Sequence, residues 1–285
     1  MKLIEKLRTG KPTLSFEVFP PKTSDTYGSV LGAVRQIAGL KPNYMSVTYG
    51  AAGTTAAYTL ELASEVAKLG VTPLAHLTCV CARPDTIVRQ LDSFREKGIE
   101  NILALRGDLP EGMSRDDLHF HYASELVHQI RDYGGFCIGG ACYPETHPGS
   151  ENSRTDILHL KEKVEAGCEF LTTQMFFDND IYYNFLWRLL NQGVDVPVVA
   201  GIMPVTSATL IRRIVRISGN AVPQKFLRIV DRFKDQPEAM KQAGIAFATE
   251  QIIDLYANGV NAVHVYSMNH PDVAEAIRAN LGSIL

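Results

Sequence analysis

The chain has 285 residues, of which 46% are hydrophobic and 21% charged, a composition typical of a globular protein that can bury a full core. Its formal net charge of −3 implies no general attraction to nucleic acid or to a membrane surface. No apolar run approaches the roughly 20 residues that cross a bilayer, and the charged N-terminus does not resemble a signal peptide, so we expect a cytoplasmic protein.

The cysteines give no indication of a metal site. They are odd in number, form no CxxC pair and lack the two spaced ligand pairs that structural zinc usually needs. We therefore expect buried thiols in a reducing compartment, and no metal. The cysteines are Cys79, Cys81, Cys137, Cys142 and Cys168.

A repeated pattern punctuates the chain, in which an amphipathic helical stretch ends at a glycine and an apolar run follows. Glycine just beyond a helix end adopts the left-handed conformation without steric cost, and the chain can then enter a strand. Eight strands are predicted in this way. They lie near Leu14–Phe19, Tyr44–Thr48, Thr72–Leu77, Ile102–Leu105, Phe136–Cys142, Phe170–Gln174, Val198–Gly201 and Val263–Tyr266.

Apolar stripes with the helical period lie between most of these strands, for example at 30–37, 87–94 and 157–164. This alternation predicts a parallel sheet with crossover helices, and eight units predict a (β/α)₈ TIM barrel that spans residues 1–285 as a single domain. The longer last interval predicts an extra helix, Pro223–Lys234, between strands seven and eight. A doubly wound sheet is the rival fold, but the turn after strand one, at 19–23, lacks the GxGxxG pattern.

Polar residues at the strand ends are the candidates for function, because such barrels hold their active sites there. Glu17 is the sharpest candidate, since it is a carboxylate inside an otherwise apolar strand. The two-residue period of a strand places Ser15 and Glu17 on the lumen face and Phe16 and Val18 on the helix-facing side. A carboxyl group in apolar surroundings favours its protonated form, which suits a general acid. The alternative is a structural glutamate paired with a lumen Arg or Lys.

The other strand ends carry weaker candidates. Arg106-Gly107-Asp108 places a cation and an anion around a residue that allows close backbone approach, or else forms a salt bridge at the rim. His76 and Gln174 could equally satisfy polar groups of the core, and Tyr143 and His147 could simply fill the barrel mouth.

Taken together, seven strand-end motifs form a pattern in a fixed order and spacing. They are Ser-Phe-Glu-x-Phe-Pro-Pro-Lys at 15–22, Ser-Val-Thr-Tyr-Gly-Ala at 46–51, His-Leu-Thr-Cys at 76–79, Ala-Leu-Arg-Gly-Asp-Leu-Pro at 104–110, Tyr-Pro-Glu-x-His-Pro at 143–148, Lys-x-Lys-Val-x-Ala-Gly at 161–167 and Thr-Gln-Met-Phe-Phe-Asp at 173–178. The pattern resembles that of bacterial methylenetetrahydrofolate reductases over nearly the whole chain. The resemblance implies flavin-dependent reduction of 5,10-methylenetetrahydrofolate to 5-methyltetrahydrofolate in one-carbon metabolism and methionine biosynthesis.

The resemblance also implies roles for individual residues. Glu17 is similar to the acid that protonates the folate as its five-membered ring opens, which gives the iminium cation that accepts hydride from flavin N5. Asp108 is similar to a carboxylate beside the flavin that also meets the pterin, and Gln174 to a folate contact. The positions that match flavin-binding residues are Thr48, Tyr49, Ala51, His76, Arg106, Gly107, Asp108, Tyr122, Ala123, Tyr143, His147, Asp156 and Lys163.

The chain departs from the family pattern at three places. Leu210 and Ile214 stand where many members carry Gln and Phe for folate and nicotinamide dinucleotide. Met268-Asn269-His270 replaces Leu-Asn-Arg, and Glu162 replaces a basic residue. The resemblance therefore favours FAD but leaves FMN open, and it leaves the electron donor open between NAD(P)H and a partner protein.

Three other functional classes of barrel would show different residues at the same strand ends. A Schiff-base aldolase would place a lysine there, a metal-dependent hydrolase would carry an HxH pair on strand one, and a phosphate-binding barrel would have a Gly-rich turn after strand seven or eight. None of these patterns is present. The alternative that stays open is a flavin- and folate-binding subunit of a multi-subunit electron-transfer complex with little activity alone. A homo-oligomer also stays open.

Overall fold

The computed structural model describes residues 1–21, 23–50, 55–110 and 112–285. Eight parallel strands close into a barrel in chain order, with β8 paired to β1. The strands are β1 Thr13–Val18, β2 Tyr44–Val47, β3 Thr72–Thr78, β4 Asn101–Leu105, β5 Cys137–Cys142, β6 Phe170–Thr173, β7 Val198–Ile202 and β8 Ala262–Val265. The (β/α)₈ prediction is confirmed, and each predicted strand end lies within one residue of the observed one.

Helices surround the barrel and follow the predicted apolar stripes. They are α1 Leu3–Leu7, α2 Tyr27–Gly39, α3 Ala56–Lys68, α4 Pro84–Glu96, α5 Ala123–Tyr133, α6 Ser153–Ala166, α7 Asn179–Asn191, α8 Ala208–Ser218, α9 Gln224–Phe233, α10 Pro237–Ala257 and α11 Pro271–Asn280. The extra helix predicted before strand eight is confirmed as α9. The helix α1 was not predicted. No helix in the described ranges combines the length and apolarity needed to cross a membrane.

The two faces of the strands pack against different partners. The outward face of β1, with Phe16 and Val18, joins the large core that the strands share with the surrounding helices. The inward face is apolar at the N-terminal end of the strands, where α1 closes the barrel with Leu3, Ile4 and Leu7. We call this apolar layer the lumen floor. Its members are Leu3, Ile4, Leu7, Tyr44, Leu74, Leu103, Cys137, Phe170, Val199 and Ala262.

A buried asparagine anchors α1 to the lumen floor. Asn101 accepts a hydrogen bond from the Leu3 backbone N–H at 2.6 Å and donates to the Pro73 carbonyl at 3.2 Å. Asn101 thereby satisfies the first N–H of α1, a helix of only five residues, and ties it to the start of β3. The lumen is closed at this end by α1.

Candidate active site at the barrel mouth

A cavity of about 270 Å³ opens at the C-terminal end of the strands, which is where barrels of this architecture hold their active sites. We call it the lumen mouth. It is lined by Glu17, Ser46, Thr48, Leu74, His76, Leu103, Leu105, Ala141, Tyr143, Thr172, Thr173, Gln174, His264 and Tyr266. Five of the residues that the sequence predicted for the site meet in this cavity. They are Glu17, Thr48, His76, Tyr143 and Gln174.

Glu17 lies in the lumen, as the two-residue period of β1 predicted. Its side chain is 9% exposed, and its Oε2 atom lies 3.7 Å from the Nε2 atoms of both His76 and His264. Its backbone carbonyl accepts a hydrogen bond from Ser267 at 2.9 Å, which fixes the end of the strand. Within the described residues, the ion-pairing neighbours of Glu17 are these imidazoles, with no Arg or Lys among them. The structural alternative raised from the sequence, a pair with Arg or Lys, does not form among the residues that the structure describes.

His76 is the uncharged neighbour of this acid. Burial lowers the pKa of His76 to about 4, although the nearby Glu17 acts in the opposite direction. The ring is therefore neutral near pH 7, and its Nε2 atom has no hydrogen-bond partner among the described residues. A buried polar atom without a partner in an open cavity is available to a ligand.

His264 and Ser46 complete the cluster, and the sequence analysis did not single them out. His264 sits in β8, between the apolar residues Val263 and Val265, and is 2% exposed. The same signal that identified Glu17, a polar residue within an apolar strand, could have found it. Ser46 faces Glu17 across the β1–β2 pair.

The loop after β4 carries a glycine that no other residue can replace without strain. Gly107 has φ +85°, and a Cβ atom there would lie 2.7 Å from Val80 Cγ1. Arg106 is half-buried, donates from Nε to the Gly107 carbonyl at 3.2 Å, and lines a second cavity of about 180 Å³ beside Arg115. Asp108 lies exposed on the rim, outside the lumen mouth. Rim and lumen thus hold the two predicted carboxylates in different surroundings.

The charge of Asp108 affects Tyr143, which lines the lumen mouth. Burial raises the pKa of the Tyr143 hydroxyl, and the nearby carboxylate of Asp108 adds to the rise. The Tyr143 ring meets the His147 ring edge-on, with 4.6 Å between centroids. The loop that carries these two rings is held by Asp156, which is buried in the first turn of α6 and accepts from the His147 N–H at 3.1 Å and the Ser150 hydroxyl at 2.9 Å.

Two further predicted positions are engaged with the protein itself. The Lys163 ammonium donates to the Ala141 carbonyl at 2.7 Å, beside the lumen mouth, and its stem covers Gly140. The Tyr49 hydroxyl accepts a hydrogen bond from Gln90 of α4, so this side chain points into the helix layer rather than the lumen.

The remaining predicted positions lie at the second cavity, at the edge of the lumen mouth or outside the described residues. Tyr122 caps the N-terminus of α5 and lines the second cavity, and Ala123 begins that helix. The Gln174 side-chain oxygen accepts from the Met175 N–H at 3.0 Å at the edge of the lumen mouth. Ala51 lies outside the described residues.

The barrel architecture is shared with solved structures of low sequence similarity. A Clostridium thermocellum protein, described as uncharacterized and as binding two copies of 5-methyl-5,6,7,8-tetrahydrofolic acid, superposes with a TM-score of 0.67 at 14% identity. The superposition covers 99% of this chain and 100% of the other. At this identity the likeness supports the fold alone.

Similarity at the sequence level is more specific. The chain is 33% identical over 274 residues to the 5,10-methylenetetrahydrofolate reductase of Escherichia coli (strain K12), covering 96% of this chain and 92% of that protein. It is 34% identical to methylenetetrahydrofolate reductase (NADH) 1 of Arabidopsis thaliana, of which it spans about half the length, 51%. The family model described as methylenetetrahydrofolate reductase matches residues 2–282. The chain therefore belongs to the methylenetetrahydrofolate reductase family.

Proposed function

We propose that the chain is a flavoenzyme that reduces 5,10-methylenetetrahydrofolate to 5-methyltetrahydrofolate. FAD is the proposed cofactor, with FMN as the alternative. The observation that carries the proposal is Glu17, a buried acid that opens on the lumen mouth without a permanent cationic partner among the described residues. The proposal is supported by the E. coli and plant relatives, whose names state this reduction.

The polar inventory of the mouth fits a flavin. His76 Nε2 and Thr172 Oγ1, which line the mouth, and Thr78 Oγ1, further along the same strand as His76, are buried without hydrogen-bond partners in the described part of the chain. An isoalloxazine ring offers several donors and acceptors. Gly107 allows the loop after β4 to pack closely against Val80 and Thr78, which fixes the position of Arg106 and Asp108 beside it. Arg106 and Lys163 are the cations proposed to meet the cofactor's phosphates. Thr48, Tyr143, His147, Tyr122 and Ala123 are proposed to complete the binding surface.

A bound flavin would supply the hydride, and the protein's own residues would handle the proton. Glu17, in its acid form, would transfer its proton to the folate nitrogen released as the five-membered ring opens. The proton stays on the product, and the Glu17 carboxylate takes a proton from solvent before the next turnover. The Asp108 carboxylate at the rim would stabilise the cationic folate that forms in between. Gln174 would orient the pterin through its amide nitrogen.

A second candidate function is kept because of α8. Ile214 is buried within the cluster formed by α8, α9 and neighbouring loops, and Leu210 packs against that cluster. The helix therefore offers aliphatic side chains where the family offers an amide and an aromatic ring. This favours a subunit that receives electrons from a partner protein instead of from free NAD(P)H.

The experiment tests flavin binding and folate reduction one after the other, and it does not depend on the identity of the electron donor. Purified protein is expected to be yellow, or to become so on reconstitution with FAD or FMN, and the released flavin is identified by mass. The bound flavin is then reduced chemically without any nicotinamide, and 5,10-methylenetetrahydrofolate is expected to reoxidise it. Failure to bind either flavin would overturn the cofactor proposal, and a reduced flavin that folate does not reoxidise would overturn the proposed reaction.

A further inference from the structure

A chain of buried contacts runs from Glu17 into the barrel wall. Glu17 Oε2 lies 3.4 Å from Ser46 Oγ, which lies 3.0 Å from His264 Nε2. On the other side of the ring, His264 Nδ1 lies 2.7 Å from Ser15 Oγ, and Ser15 Oγ lies 3.1 Å from the Val263 carbonyl oxygen. The chain thus begins at the proposed acid and ends at a group that can only accept a hydrogen bond.

The end of the chain determines how its hydrogens are placed. Each serine hydroxyl has one hydrogen, and Ser15 must use its own to bond the Val263 carbonyl. The Ser15–His264 contact is then a hydrogen bond only if Nδ1 carries a hydrogen and donates it. His264 Nδ1 is therefore protonated in any arrangement that keeps both contacts.

With one titratable proton on the Glu17–His264 pair, two arrangements keep all four contacts as hydrogen bonds. In one, neutral His264 accepts from Ser46 at Nε2, and protonated Glu17 donates to Ser46. In the other, the imidazolium of His264 donates to Ser46, and Ser46 donates to the Glu17 carboxylate. Both arrangements hold one titratable proton on the Glu17–His264 pair, and they interconvert when that proton crosses Ser46. A neutral His264 beside an ionised Glu17 loses at least one of the four bonds.

The ring of His264 packs between two aromatic rings, which fix its orientation. It stacks on Tyr44 with 5.7 Å between centroids and 5° between planes, and Tyr266 meets it edge-on at 5.3 Å. Within the described part of the chain, the titratable groups that face Glu17 are Tyr44, His76, His264 and Tyr266. Burial raises the pKa of both tyrosines and lowers that of His76, so these three are uncharged near pH 7.

We propose that Glu17 and His264 share one proton through Ser46, and that His264 is a positioning residue that keeps this proton available to the acid. The inference rests on the proposed role of Glu17 in folate reduction. During turnover the proton leaves the pair from Glu17 to the folate nitrogen, and the pair regains one proton from solvent. Because Ser15 donates to the Val263 carbonyl, it accepts from His264 Nδ1, and this determines which atom donates at each later contact.

The first test removes the link with the smallest change. In Ser46→Ala, Glu17 loses the hydroxyl that connects it to His264, so the acid can no longer draw on the shared proton and depends on protons from solvent, which become scarcer as the pH rises. Single-turnover oxidation of the reduced flavin by folate is measured from pH 5.5 to 8.5. We expect a loss of about tenfold at pH 8 that shrinks towards the acid end, and recovery in Ser46→Thr, which restores the hydroxyl.

A matched control lies on the same strand and face as Ser15. Thr13→Val removes a buried hydroxyl that donates to the Asn261 carbonyl, at the opposite end of the lumen, and should leave the pH profile unchanged. A Ser46→Ala loss that is equal at every pH would indicate a packing defect and overturn the proposal. If Glu17→Gln itself does not impair folate oxidation of the flavin, the proposed acid has failed instead.

A second measurement needs neither flavin nor turnover. In flavin-free protein labelled with ¹⁵N-histidine, the His264 resonances are assigned by their absence in His264→Gln. Near pH 7 we expect a protonated Nδ1, because both arrangements require it. An unprotonated Nδ1 as the major form would overturn the proposal even if Ser46→Ala did not fold.

Discussion

The lumen floor and the lumen mouth are built by the inward faces of the same strands and meet at Leu74 and Leu103, but the floor is apolar and the mouth carries polar and titratable side chains. At the floor, residues such as Phe170 and Val199 form an apolar cluster with α1. At the mouth, the inward residues include Glu17, and Ser46 and His264, which each lie two positions beyond a floor residue of the same strand. Alternation along a strand therefore determines whether a residue faces the lumen or the helices. The position of an inward residue along the barrel axis determines whether it belongs to the apolar floor or to the polar mouth.

The strongest way to sharpen this comparison is Glu17→Gln at the mouth. The amide keeps the shape of the side chain but cannot give up a proton, so folate reduction should fall by about 10²–10⁴-fold, the range for loss of a positioned acid. Flavin binding, flavin reduction by the donor and the thermal midpoint should change little. Stopped-flow measurement of the two half-reactions checks this, and an equal loss in both would make Glu17 a structural residue.

The reciprocal change is Phe170→Ala at the floor. Phe170 is fully buried, and its ring fills the space beside Gly139, where a Cβ atom would lie 2.3 Å from it. Removing the ring should lower the free energy of unfolding by about 3–5 kcal/mol, the usual cost of such a cavity. Phe170→Leu, which retains more of the volume, is the matched control and should cost less. Urea unfolding measures both, and a rate of folate reduction per folded molecule that collapsed with stability would break the separation of floor from mouth.

Asp108→Asn tests the rim separately from the lumen mouth. A carboxylate beside the flavin should lower its reduction potential and attract the cationic folate, so the neutral amide should raise the potential and weaken folate binding by up to about tenfold, or about 1.4 kcal/mol. Asp116→Asn removes an exposed charge from the same loop and should alter neither property. Potentiometric titration and equilibrium folate binding are the measurements. The assignment of Asp108 fails if both quantities stay at their original values.

The smallest effect concerns the electron donor. Aliphatic side chains at Leu210 and Ile214 lack the stacking of an aromatic ring, which is worth about 0.5–1.5 kcal/mol, so nicotinamide binding should be weakened about tenfold or less. Flavin reduction by free NADH should therefore be slow, and faster from a partner protein or a low-potential carrier. Stopped-flow reduction with sub-millimolar NADH decides the matter, since a rapid reaction without a partner would remove the reason to propose one.

The sequence predicted the barrel because each strand and each bordering glycine leave a local signal. The lumen position of Glu17 followed from the same two-residue period. That period also applied to His264, but its significance depends on Ser15, 249 residues away, and no local pattern reports such a contact. The helix α1 was missed although the spacing of Leu3, Ile4 and Leu7 suits one, because five residues are too few for a clear period.

Loop geometry adds contacts that the sequence did not predict. The family pattern groups Tyr49 with the flavin-binding positions, but only the folded loop reveals that its hydroxyl meets Gln90. Asp156 likewise emerges as the residue that organises the loop carrying His147. Such contacts depend on where loops return, which a strand or helix period does not encode. The proposed roles of the site residues in flavin and folate binding stay predictions.

The acid lies on the seam where the barrel closes. Ser267 binds the Glu17 carbonyl, and Asn269 binds both the N–H and the carbonyl of Phe19, at 2.8 and 3.0 Å, so the first and last strands are joined next to the site. Because β1 is synthesised long before β8, the seam can form only after β8 has been made. A nascent or truncated chain that lacks β8 therefore carries Glu17 without His264, and the buried cluster around this carboxylate cannot assemble until both strands are present.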